Sequence, residues 1–444
     1  MGPAPVQSGT ATAPATPAAR RAQPHALSLL ASLWPLALLA VAGSAQAHGE
    51  ADDALPADPG VRLGAAAAVS WLDSQQTLPS QRLRGFLRQG DAGTDRQGVG
   101  LEHGTLSADW RINDWLGAEL VLGKHGSDAA HVESAWVQLR HDVEGGGGGG
   151  DGPSWWQLTA GRQRPALGAA MAQAGHLDSF GLMPLAKQVA LNGDWIDDGL
   201  QLGWRQDGSA GRFSADAGLW RGQVFPGGQG ASPVPSVHAG WAQGPWALDG
   251  WAASLRPTQR GSLVNSLAGH THSAPVCTAG LKDVVCFAGR STVAGASVVW
   301  QGAQSPLAWP LTLTASGWLR NEHGSLESAN GLAAYSARNR GSWLQGMWSL
   351  GSQWQTGLRL ERAWATQSLT GAGASLVAAE TGLAAYQPAS RQTILLAWSP
   401  RPDLSLGLEL GRERAVHPTT AGSTTARFAM LRLVASTSWL SGAK

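Results

Sequence analysis

The sequence predicts an all-β fold: an antiparallel transmembrane β-barrel of about sixteen strands, forming a single domain after a cleaved signal peptide. Three observations predict it. Segments of roughly ten residues alternate apolar and polar side chains, the connections between them alternate short and long, and tryptophans gather near segment ends. Composition agrees: Gly 59 and Trp 22 stand against Phe 6 and Tyr 2, and only 14% of residues are charged. A soluble enzyme of this length needs amphipathic helices with Glu/Lys-rich faces, and the sequence has almost none.

At the start of the chain, Arg20 and Arg21 precede an apolar run, 26–41, and the small-residue end Ala45-Gln46-Ala47. This is the pattern of a secretory signal peptide; the run is too short for a membrane-spanning helix, and Pro35 interrupts it. Residues 1–47 are therefore read as leader and signal peptide, 48–61 as a short periplasmic segment, and 62–440 as the barrel. Beyond 48 no apolar run reaches the roughly 18 residues of a spanning helix.

The clearest strand pair is Leu106 to Leu122. Leu106, Ala108, Trp110 and Ile112 alternate with Ser107, Asp109 and Arg111 before the turn at Asn113-Asp114; Ala118, Leu120 and Leu122 then alternate with Glu119. A hairpin with one apolar and one polar face lies between two media, either sheet and water or lipid and lumen. Similar segments recur at 62–73, 98–112, 115–125, 131–142, 155–164, 198–206, 211–222 and 234–243. They continue at 246–257, 291–303, 308–320, 341–350, 353–364, 390–399, 404–415 and 426–440.

Short connections fall at 113–114, 207–210, 244–245, 304–306, 351–352 and 400–403, and long ones at 74–97, 165–197, 223–233, 258–290, 321–340, 365–389 and 416–425. That alternation is expected of a barrel with short periplasmic turns and long external loops. Two places fit less well: the glycine tract 145–150 falls where a short turn is due, and 126–130 is brief for an outer loop. Trp110, Trp115, Trp155, Trp156, Trp246, Trp309, Trp354, Trp398 and Trp439 lie near short turns or the chain end. Trp71, Trp220, Trp318, Trp343 and Trp364 lie near long loops, so two interfacial girdles are expected.

Over the mature length this architecture resembles the Gram-negative outer-membrane porins. The last strand, with Leu431, Leu433, Ala435, Thr437 and Trp439, resembles their C-terminal assembly signal, except that Leu440 to Lys444 follow the aromatic. Within 155–228, Ala160-Gly161-Arg162, the DDGLQL of 197–202 and the LWRGQVFPGG of 219–228 resemble a porin-like family often labelled zinc-regulated or TonB-dependent outer-membrane protein. The resemblance implies passive diffusion of small hydrophilic solutes or ions across the outer membrane of a Gram-negative bacterium, linked to metal supply. It also implies a homotrimer, surrounding lipid and lipopolysaccharide, and delivery by the barrel-assembly machinery. Too few residues separate Ala47 from the first strand for an N-terminal plug, so an energised transporter is not expected.

In sixteen-stranded porins the third external loop narrows the lumen, and here the corresponding loop is 165–197. Its polar residues His176, Asp178, Lys187, Asp194 and Asp197 are the constriction candidates, and the apolar stretch 180–184 suits the barrel wall. A loop lying over the rim, or against a neighbouring subunit, is the equal alternative. Alternation predicts the inward residues: Asp109, Arg111, Glu119, Gln201, Arg205, Asp216, Arg359, Glu361, Glu409 and Arg432, mixed in sign. Segments 131–142 and 246–257 carry alanine and tryptophan on both faces and have no predicted orientation.

Cys277 and Cys286 are an even pair in one long loop of an exported chain, which reads as a disulfide. The alternative is a zinc site with His270 and His272, weak metal candidates without C-x-x-C spacing. No cofactor is expected. His103, Asp109 and several serines are ingredients for a barrel-embedded hydrolase, but no G-x-S-x-G or H-E-x-x-H motif organises them, so no enzyme is expected. A non-conducting receptor or adhesion barrel is the nearer alternative. A formal net charge of +1 excludes a strongly basic nucleic-acid binder.

Overall fold

Side chains that alternate in character along a strand separate onto two faces of a sheet, and a sheet whose ends pair with each other has no open edge. The chain does both. The computed structural model describes residues 55–56, 58–76, 78, 83, 85–88, 97–126, 129–143, 151–174, 177–230, 233–263, 277, 284–302, 310–416 and 422–442. The strands of the first half are β1 Gly60–Ser74, β2 Gly98–Asn113, β3 Leu116–Lys124, β4 His131–Val143, β5 Asp151–Gln163, β6 Asp197–Gly208, β7 Gly211–Trp220, β8 Val234–Gln243 and β9 Trp246–Leu255. Those of the second half are β10 Arg260–Leu263, β11 Val284–Gly302, β12 Leu311–Ser328, β13 Gly331–Ser349, β14 Trp354–Thr370, β15 Ala389–Arg401, β16 Leu404–Val416 and β17 Ser423–Gly442.

Every pairing is antiparallel between neighbours in sequence, with two exceptions. The four-residue β10 pairs with the upper part of β11 only, while β9 pairs directly with β11 lower down. The first strand pairs with the last along its whole length, from Gly60 opposite Gly442 to Ser74 opposite Phe428. Setting β10 aside, sixteen strands of the seventeen-stranded sheet close the wall. This is a transmembrane β-barrel of the Gram-negative outer-membrane type.

The outer face is apolar. Leu106 is 61% exposed while Asp109, on the opposite face of the same strand, is 5% exposed. Leu200, Leu202, Leu358, Leu360, Leu406, Leu408, Leu410, Leu431 and Leu433 all face outward. At the short-turn end Trp115, Trp156, Trp246, Trp354, Trp398 and Trp439 are exposed, and the girdle is built from cross-strand pairs. Trp156 stands opposite Trp204, Trp246 opposite Trp300 and Trp354 opposite Trp398, with ring centroids 6.1–6.3 Å apart.

Three expectations are corrected. Parts of the expected loops 258–290 and 365–389 are strand: β10 takes Arg260–Leu263, β11 starts at Val284 and so includes Cys286, and β14 runs on to Thr370. The segment 321–340 is not a loop: β12 runs on to Ser328 and β13 begins at Gly331, so the two form one long hairpin. Its outer half alternates Arg320, Glu322 and Asn339, fully buried, with exposed residues such as His323 and Arg338, and polar residues on both faces read as loop. Likewise Trp220, Trp318 and Trp343 are 1–5% exposed and point into the barrel, leaving Trp71 as the exposed member of the long-loop set, with Trp364 half-buried. A tryptophan near a strand end suits a lipid interface or an apolar interior equally, because its ring satisfies both. Residues 145–150 and Trp309 lie outside the described residues.

Candidate functional site

The chain between β5 and β6 turns into the barrel rather than over it. It carries two short helices, α1 Ala169–Gln173 and α2 Leu185–Leu191. All seven residues of α2 are buried, and Pro184 precedes them with no side-chain cap of its own. The missing cap comes from the wall: the Leu185 N–H donates to Glu361 Oε2 at 2.6 Å. A helix end inside a protein needs such a partner for its free amides. At the other end Asn192 takes the left-handed conformation, φ 57°, and its N–H returns to the Gln188 carbonyl.

Wall charges bind the loop backbone along its length. The Gly181 N–H donates to Glu409 Oε1 at 2.7 Å. Arg359, Arg391 and Arg432 donate to the carbonyls of Leu182, Met183 and Asp178, and Arg320 to those of Val189 and Ala190. The arginines are themselves paired. Register places Arg391 opposite Glu361 on β14 and Glu413 on β16, so acid, base and acid run across three adjacent strands. Arg359 meets Glu361 at 3.1 Å, and Arg432 meets Glu102 at 2.7 Å. Buried ions persist when each is paired and hydrogen-bonded, and here the pairs also hold a loop.

Beneath these contacts the loop packs on an apolar part of the lumen. Leu185, Ala186, Val189, Ala190 and Leu191 join Trp251, Val293, Trp318, Trp343 and Ala363 of the wall in one cluster. Phe180 packs separately on Leu395 and Ala397. Glycines make the room: a Cβ on Gly341 would meet Trp318 Nε1 at 2.3 Å and Ala186 at 2.8 Å.

Opposite the packed side lies a cavity of about 660 Å³, bounded by the loop and by strands at the two ends of the chain. Asp109, Glu119, Arg205 and Arg432 line it, with Arg62, Arg164, Gln201 and Asp178. Asp109 pairs with Arg62 at 3.0 Å. Glu119 accepts from Ser134 Oγ at 2.5 Å and Trp136 Nε1 at 2.9 Å. Arg205 pairs with Asp216 at 3.1 Å, which also bonds His238 at 2.9 Å. Gln201 accepts from the Ala166 N–H at the root of the loop. Arg111, half-buried, lies nearer the short-turn end, opposite Gly60 and Gly117.

Of the loop residues, Lys187 points into the loop's own fold: its Nζ donates to the Met171 and Ala174 carbonyls at 2.9 Å and pairs with Asp194. Asp194 also meets Arg164 at 3.5 Å. Asp197 begins β6 and accepts from the Gly222 N–H at 2.7 Å, joining this loop to the next. Asp178 faces Arg359 at 3.6 Å; burial pushes its carboxyl above the usual carboxylate range, with Arg359 pulling the other way. His176 lies outside the described residues, as do His270 and His272. Cys277 and Cys286 form a disulfide, Cα atoms 5.6 Å apart.

One set of inward residues escapes an alternation argument. Glu102 and His103 are consecutive yet both buried, as are Glu133 and Ser134. A register shift between Ala68 and Val69 leaves Glu102 as the extra residue of β2, and one between Val121 and Leu122 leaves Glu133 as the extra residue of β4. Each bulge re-aims a glutamate into the lumen.

No protein-family profile matches the chain, and no curated protein matches it in sequence. Solved structures match it in fold. The outer-membrane channel DcaP of Acinetobacter baumannii superposes with a TM-score of 0.51 at 10% identity, covering 85% of this chain and 97% of that one. OprB of Pseudomonas putida gives 0.49 at 10%, covering 85% and 94%. OmpT, an outer-membrane protein of Vibrio cholerae, gives 0.49 at 11%, covering 86% and 99%. The DcaP likeness supports the barrel architecture.

Proposed function

We propose that this barrel is an outer-membrane porin-like channel for passive diffusion of small hydrophilic solutes or ions, narrowed by the 165–197 loop. The observation that carries the reading is the division of the lumen: a loop tethered to one side, and a polar cavity of about 660 Å³ with acids and bases on the other. A barrel of about sixteen strands encloses an aqueous channel unless it is plugged. Asp109, Arg111, Glu119, Gln201, Arg205, Asp216, Arg359, Glu361, Glu409 and Arg432 line that path or brace the loop beside it, and Asp178 borders the narrowing. Diffusion needs no catalytic step; selectivity comes from the size of the gap and the sign of its walls. A homotrimer, a lipid and lipopolysaccharide surround, delivery by the barrel-assembly machinery and a link to metal supply belong to the same reading.

A plugged receptor barrel is the second reading, favoured by the fully packed apolar side of the lumen. Single-channel recording in a planar bilayer, with cation and anion gradients, separates the two. Stepwise conductance with a measurable ion preference is expected. A heat-modifiable barrel that inserts without conducting overturns the channel in favour of the receptor.

A further inference from the structure

At the long-loop end of the polar cavity three histidines converge on one carboxylate. His103 Nε2 lies 2.8 Å from Glu133 Oε1, His125 Nε2 lies 3.5 Å from it and His131 Nε2 3.7 Å. His103 and His125 stack with ring centroids 4.3 Å apart and planes at 7°; His125 and His131 follow at 5.3 Å and 21°. His103, His125 and Glu133 are buried, and their ligating atoms all lie within 4.8 Å of one another. The four residues come from β2, the β3–β4 connection and β4, so the cluster is assembled by the fold rather than by one loop.

A buried glutamate needs one charged or hydrogen-bonding partner, which His103 alone supplies. Three imidazoles aimed at the same oxygen are more than that, and they are poor company when protonated, since each added charge repels the next. Neutral imidazole nitrogens with one carboxylate oxygen are the donor set of a borderline divalent ion. Gly123, the register partner of His131, makes room for that carboxylate: a Cβ there would lie 2.3 Å from both Cδ and Oε1 of Glu133. The bulge that makes Glu133 the extra residue of its strand turns the carboxylate toward the rings. The cavity also contains Arg164, which opposes a cation, and Glu119, which favours one.

We propose that His103, His125, His131 and Glu133 form a binding site for a divalent transition-metal ion of the zinc class at the outer mouth of the lumen. Metal–nitrogen bonds of about 2.0 Å put tetrahedral donors roughly 3.3 Å apart, so His125 and His131 draw slightly toward the carboxylate while His103 moves slightly away, the ion replacing the His103–Glu133 hydrogen bond.

The test is titration of the purified full barrel in detergent, with Zn²⁺ by calorimetry and Co²⁺ by visible absorption. One ion per chain and the intense absorption of tetrahedral Co²⁺ are expected. His103→Ala and Glu133→Gln should each weaken binding at least tenfold, whereas His141→Ala, on an exposed residue of β4, and the pair His270→Ala and His272→Ala should leave it unchanged. Heat-modifiable migration checks that each variant is folded. Gly123→Ala keeps every donor while crowding the carboxylate, and should also weaken binding. A wild-type barrel that binds neither ion, or binding that survives His103→Ala or moves with His270 and His272, overturns the site. No current is measured, so failure here is distinct from failure of the channel reading.

Discussion

The two sides of the lumen solve different problems with the same alternating strands. On the β8–β13 side the inward residues include Val234, Trp251, Leu255, Val293, Trp318 and Trp343, and they are covered by the helices of the 165–197 loop. On the other side, from β1 to β6 and from β16 to β17, inward residues such as Thr105, Asp109, Glu119, Arg205, Arg432 and Ser436 face the cavity. Between them stands the arginine–carboxylate ridge of β14 to β16, which holds the loop backbone. An apolar wall facing water would be costly, so the first side needs its loop; the second does not. The asymmetry therefore sets where an opening can be.

Removing the loop is the severest test of that comparison. A deletion within 170–192 should raise single-channel conductance several-fold, because it clears the packed side while leaving the sixteen-strand wall. A folded deletion with unchanged conductance would break the comparison, since the loop would then not limit flow. A smaller effect separates the ridge from the open side. Glu361→Gln leaves Arg359 and Arg391 short of a buried carboxylate and should cost roughly 3 kcal/mol. Arg62→Gln, on the partly exposed arginine of a pair that lines the cavity, should cost less, about 1 kcal/mol. The temperature at which the folded band disappears on gels reads both, and equal shifts would deny the ridge its special role. The smallest effect is a titration. Burial raises the Asp178 pKa, so its negative charge is lost as pH falls while ordinary carboxylates are still ionised. Ion preference should then move toward anions, and Asp178→Asn should show that preference already at neutral pH and lack the step.

The barrel was legible because a lipid-facing strand must be apolar on every second residue: Leu200, Leu202, Leu406 and Leu408 stand outward as alternation requires, with Gln201 and Glu409 inward. The signal failed where the medium changes. Beyond the lipid the outward face turns largely polar, while the inward face of the outer β12–β13 hairpin mixes Arg320, Glu322 and Asn339 with Leu326, Ala333 and Tyr335, so the hairpin reads as loop. Inside, Trp318 and Trp343 meet apolar loop helices instead of water, which strand periodicity alone does not reveal. The glutamate–histidine cluster was hidden twice over. Its bulges break the period by one residue, and its members are 30 positions apart at the widest hydrogen-bonded pair, His103 and Glu133. In the sequence His103 stands out only beside Asp109 and serines as an unorganised hydrolase ingredient.

The seam between β1 and β17 gives the molecule a temporal property. Gly60 meets Gly442 and Ser74 meets Phe428, so the earliest strand waits for the last twenty residues before its second edge is paired. A chain interrupted before Ser423 has two unpaired edges, each a template for a stranger's strand. Closure therefore rests on β17, and a frameshift upstream of Ser423 is expected to leave the barrel open at this seam.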